Sequence, residues 1–109
     1  MAYRFWNSCW QFSGKDRPAV VMQNDLLGIK HLNTVVMIPF TSNLVSSEHE
    51  PNIFFKKEET GLSKDSVAVI HLIGAANKFC FERKISKLSE ENYQKLIDAV
   101  VKLITNKIT

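Results

Sequence analysis

Arg17 and the run Thr41-Ser42-Asn43 are the parts of this sequence best suited to chemistry on an anion. A guanidinium stays cationic and can grip two phosphate oxygens at once, but it holds its proton too firmly to act as a base. Thr41 follows an apolar run and offers a short hydroxyl able to hydrogen-bond a phosphate. Ser42 and Asn43 can add secondary contacts, and Lys15 can clamp a nearby phosphate. His71 brings the side chain that most readily exchanges a proton near neutrality. Each has a plainer use. Arg17 can pair with Asp16 in solvent, and Thr41-Ser42-Asn43 can merely end a strand and start a turn. A histidine between Ile70 and Leu72 can be structural.

Metal chemistry finds little support in the spacing. Cys9 and Cys80 are far apart, and neither has a second Cys or a His at zinc-finger distance. They read as reduced, buried thiols. His31, His49 and His71 are scattered, so the expectation is a reaction with no metal site and no cofactor. The net charge of +3 is compatible with a polyanionic partner but cannot by itself argue for one.

The frame that must position these residues is small. The 109 residues suit one domain, 1–109, and 45% hydrophobic content supplies a core. No apolar run approaches the ~20 residues that span a bilayer, and Met1 to Trp6 lacks the pattern of a secretory signal. A soluble, cytoplasmic protein without membrane attachment is expected.

Pro18 opens an apolar strand over Ala19–Met22, and Asn24 to Gly28 reads as a turn. Thr34–Ile38 is rich in β-branched residues and reads as a central strand, apolar on both faces. Strands are also predicted over Asn52–Phe55, Ser66–Ile73 and Phe79–Leu88, with a Gly61 turn before the second of these. Ser89 is a good N-cap, and Glu90 and Glu91 suit the positive end of a helix dipole. Leu96, Ile97, Val100, Val101, Leu103 and Ile104 form an apolar stripe at helical spacing. Its expected use is to cover the sheet. The sum is a mainly β fold, a small curved sheet or partly open barrel, with a C-terminal α-helix.

Three segments in order carry a family resemblance. They are Gly14-Lys15-Asp16-Arg17-Pro18 leading into a strand, Ile38-Pro39-Phe40-Thr41-Ser42-Asn43 ending one, and Thr60-Gly61-Leu62 before Ser66-Val67. With the helix after Leu88-Ser89-Glu90-Glu91, this arrangement resembles the MazF/PemK toxins of toxin–antitoxin systems. No single motif is specific, but three in order cover roughly half the chain. The resemblance implies an SH3-like β-barrel, a homodimer, metal-independent cleavage of single-stranded RNA, and neutralisation by a cognate antitoxin. It also implies that Arg17 and Thr41 are the main functional pair. His71 stands near a position where some members carry an acidic residue, which makes it the candidate base.

Two regions depart from the family pattern. The start, Tyr3 to Phe12, lacks the family's usual first-strand signature and its loop before Arg17 is short or rebuilt; Trp6, Trp10 and Phe12 can fill the core there as a first strand or stack on bases. After Ser66-Val67, Leu72, Gly74 and Asn77 stand where relatives often have Gln, Arg and Asp. Two further readings therefore stay open. One is a gyrase-binding toxin like CcdB, which shares the fold; the other is an inactive member that still binds antitoxin or nucleic acid.

Overall fold

The computed structural model describes residues 3–8, 17–22, 33–77 and 81–105, and side chains within 18–22, 33–76 and 86–105. Seven strands form it: β1 Tyr3–Ser8, β2 Arg17–Val21, β3 Thr34–Thr41, β4 Ile53–Phe55, β5 Ser66–Ala68, β6 Gly74–Asn77 and β7 Phe81–Leu88. Two helices accompany them, α1 Lys57–Thr60 and α2 Glu90–Thr105. The sheet runs β4-β5-β3-β2-β1-β7, β6 also pairs with β3, and these pairs are antiparallel.

Strand β3 organises the sheet, and its sequence explains how. From Thr34 to Met37 exposed and buried residues alternate, as in a sheet covered on one face. From Met37 to Phe40 every residue is buried, so the apolar-on-both-faces expectation holds only for this second half. The strand runs on through Pro39 to Thr41, the end that the Pro39-Phe40-Thr41-Ser42-Asn43 motif marks. Proline forfeits a donor and keeps its acceptor, and the Pro39 carbonyl receives the Val69 N–H at 2.9 Å. Here β3 changes partner, from β6 beside Thr34–Met37 to β5 beside Phe40 and Thr41.

The predicted strand Ser66–Ile73 is instead β5 followed by a 3₁₀ turn over Ile70–Leu72, and β6 begins only beyond it, at Gly74. Pairing both pieces along one edge of a twisted β3 requires a corner between them. The one-turn helix α1 was not expected from the sequence. It ends at Gly61, which adopts φ 78°, the left-handed region that favours glycine. A Cβ there would come within 2.8 Å of the Ser86 Cβ, so glycine also permits close approach of β7. The Ser86 hydroxyl donates to the Thr60 carbonyl at this contact. The sheet thus curls until α1, which follows one edge strand, meets the other edge strand. Register shifts in β1, between Phe5 and Trp6 and between Asn7 and Ser8, belong to the same curvature.

Helix α2 covers the core. The Ser89 Oγ accepts the Asn92 N–H at 3.1 Å, the capping role expected of it. Tyr93, Leu96 and Ala99 pack with Val20, Ile38, Phe40, Phe55, Ile70 and Leu88. The apolar stripe divides: Leu96 is buried, Ile97 and Val100 are half-buried, and Val101, Leu103 and Ile104 are exposed. Only its first turns cover the sheet. The Asn24–Gly28 turn, Trp10 and Phe12 lie outside the described residues.

Candidate functional site

Strand β2 begins at Arg17 and antiparallel β3 ends at Thr41, so both residues lie at one end of the pair. Ala19 pairs with Pro39 and Val20 with Ile38. Arg17 lies two residues before Ala19 and Thr41 two residues after Pro39, at the end where this pairing stops. On their outer sides Arg17 pairs with Ser8 and Thr41 with Val67. Four strands thus fix the backbone positions of the two residues, which are twenty-odd positions apart in sequence.

The loop after Thr41 is shaped by its own side chains. The half-buried Thr41 Oγ1 accepts the Asn43 N–H at 3.2 Å. Because the hydroxyl is used as an acceptor there, its hydrogen remains available to an anionic oxygen. The Asn43 Oδ1 in turn accepts the Val45 N–H at 3.2 Å and caps the 3₁₀ turn Leu44–Glu48. Ser42 and Asn43 are exposed beside Thr41. Lys15 lies outside the described residues, as do Cys9, His31 and Cys80.

His71 is placed differently. It is exposed on the 3₁₀ turn Ile70–Leu72, between the Val69–Pro39 hydrogen bond and the Gly74–Met37 pair. That is two to four residues back along β3 from Thr41, on the order of 10 Å at the usual strand rise. Leu72 is half-buried on the same turn, while Gly74 and Asn77 pair with Met37 and Thr34. Among the described residues, no three His, Cys, Asp or Glu side chains gather into a group able to hold a metal ion.

Asn52 was not singled out by the sequence, yet it joins the two loops. Its Nδ2 donates to the Ser46 carbonyl at 3.1 Å, and its Oδ1 accepts the Ile70 N–H at 2.9 Å. One side chain thereby ties the turn after Thr41 to the turn bearing His71. Its only sequence signal was a polar residue at the head of a strand. Asn52→Ala should cost about 1–3 kcal/mol, because it orphans a donor on the buried Ile70. Urea denaturation measures this, and an unchanged midpoint would show that water replaces the bond.

The fold is that of MazF toxins. The Mycobacterium tuberculosis toxin MazF-mt6 superposes with a TM-score of 0.71 at 19% identity, over 94% of this chain and 96% of that one. An endoribonuclease in complex with its cognate antitoxin, from a mycobacterial species, gives 0.72 at 10% identity over 97% and 95%. In sequence, the endoribonuclease MazF of Staphylococcus saprophyticus is 28% identical over 87 residues, 80% of this chain and 72% of that protein. The profile of the PemK-like, MazF-like toxins of type II toxin–antitoxin systems matches residues 11–104. The chain belongs to this family.

Proposed function

We propose that this toxin is an endoribonuclease that cuts single-stranded RNA without a metal ion, through Arg17 and Thr41. The observation that carries the reading is their placement at one end of the β2–β3 pair, each two residues beyond its last paired positions, Ala19 and Pro39. The name of the Staphylococcus saprophyticus relative supports the same activity. In this reaction a ribose 2′-OH loses its proton and attacks the adjacent phosphorus. The P–O5′ bond breaks, and the departing 5′ oxygen takes up a proton. Arg17 holds the charge that develops on the phosphate, and the Thr41 hydroxyl donates to one of its oxygens. Ser42, Asn43 and Lys15 line the path of the strand. The products are a 2′,3′-cyclic phosphate and a 5′-hydroxyl. Those ends are the test, since hydrolysis by an activated water would leave other termini.

His71 enters the proposal as the group that moves a proton, supported by its exposure and its side chain's chemistry. His71→Gln should lower the cleavage rate, whereas an unchanged rate removes His71 from the reaction. The toxin is further proposed to act as a cytoplasmic homodimer neutralised by a cognate antitoxin protein, supported by its family and by the antitoxin complex of its mycobacterial structural relative.

A second reading draws on the exposed Val101, Leu103 and Ile104 at the end of α2. A non-enzymatic toxin could bind DNA gyrase through that end. It would inhibit gyrase equally as wild type and as Arg17→Ala, and would yield no RNA fragments.

A further inference from the structure

Beside Thr41 lies a depression of about 370 Å³ lined by Ser42, Leu44, Lys57, Ser63, Lys64 and Asp65. It gathers three separate stretches: the loop after β3, the first residue of α1 and the loop leading into β5. Their convergence is enforced by local bonds. The Asp65 Oδ1 accepts the Lys57 N–H at 2.8 Å, joining the start of α1 to the β5 loop. The Thr60 Oγ1 accepts the Leu62 N–H at 3.1 Å, and Leu62 is anchored in the core. The Ser66 hydroxyl donates to the Lys64 carbonyl at 3.1 Å. The backbone carrying Lys57 and Lys64 is thus held before any ligand arrives, which lowers the ordering cost of binding.

The lining has the chemistry of a nucleotide site. Two lysines outnumber one carboxylate, and that carboxylate already accepts a backbone N–H. Two serine hydroxyls add short donors. Leu44, 45% exposed, supplies an apolar surface against which a base can lie. The volume falls at the small end of ligand pockets, suited to one nucleotide rather than a folded partner. Ser42 follows Thr41 directly, so the depression adjoins the place where a phosphate held by Thr41 would sit.

We propose that this depression is a subsite for the nucleotide neighbouring the cleaved phosphate, with Lys57 and Lys64 on its own phosphate and Leu44 under its base. The subsite rests on the ribonuclease reading given above. It deepens that reading by giving the toxin a contact with RNA beyond the reacting group. Lysine–phosphate contacts carry no sequence information, so this pair governs affinity and salt dependence. Leu44 is the member able to influence which base is accepted.

The test is binding of a 2′-O-methyl oligonucleotide of mixed sequence, which cannot be cut, by wild type and by K57Q/K64Q. The variant should bind roughly tenfold more weakly, the loss of one charge-assisted contact. Its log–log salt slope should be shallower by about 0.7 for each phosphate released. K57R/K64R should restore wild-type binding. Equal affinity and equal slope in wild type and K57Q/K64Q overturn the subsite while leaving Arg17 and Thr41 untouched. A wild type that binds the oligonucleotide but cuts no RNA sinks the ribonuclease reading alone. One that neither binds nor cuts sinks both.

Discussion

Arg17→Ala and Thr41→Val each lower the single-turnover rate of RNA cleavage by at least ~10²-fold, the usual cost of removing one donor from developing charge. Arg17 should show the larger loss, because it removes a full charge as well as a bidentate grip. Thr41→Val is nearly isosteric and deletes only the hydroxyl. Within the loop that hydroxyl accepts the exposed Asn43 N–H, which water can satisfy. Both variants should therefore remain folded, with stability changes of about 1 kcal/mol or less by calorimetry. Thr41→Ser, which keeps the hydroxyl, should retain most activity. Undiminished cutting by both variants would refute the assignment of these two positions.

Phe40→Ala should act in the opposite way, through stability. Phe40 is fully buried, and its ring centroid lies 5.8 Å from that of Phe55 with the planes inclined at 33°. Truncating a buried phenylalanine costs about 3–5 kcal/mol, a large share of the ~5–15 kcal/mol that holds a domain together. For a domain of this size that lowers the thermal midpoint by more than about 10 °C. Phe40 pairs with Ala68 immediately before Thr41 pairs with Val67, so the same residue fixes the end of β3. Activity should fall only in proportion to the unfolded fraction and return on cooling. A midpoint within a few degrees of wild type would mean that Phe40 does not anchor the core.

The sequence exposed those parts of the fold that follow from local pattern. The β-branched run of β3, the Ser89 cap, the Gly61 turn and the helical spacing of α2 are all properties of neighbouring residues. What it concealed depends on residues far apart. The hydrogen bond made at Pro39 left no local mark, because the Val69 N–H that its carbonyl accepts is thirty positions away. The apolar run after Ser66 looked like one strand because the switch of β3 from one partner to another leaves no periodic mark. Helix α1 is a single turn, too short to show helical spacing.

The candidate site divides in the same manner. Arg17-Pro18 and Thr41-Ser42-Asn43 were visible as motifs, but their common end of the β2–β3 pair is a product of topology. Asn52 was invisible because its value lies in bonds to Ser46 and Ile70 on two other loops. His71 was chosen for its chemistry, and the turn it occupies sets it apart from Thr41 along β3. The exposure of Val101, Leu103 and Ile104 at the end of the α2 stripe likewise leaves no mark in its helical spacing.

The most direct measurement is incubation of the purified protein with a long single-stranded RNA in excess chelator, beside Arg17→Ala. The account predicts wild-type fragments ending in cyclic phosphate and intact RNA with the variant. Intact RNA with a well-folded wild type, or the same fragments from both proteins, would contradict it.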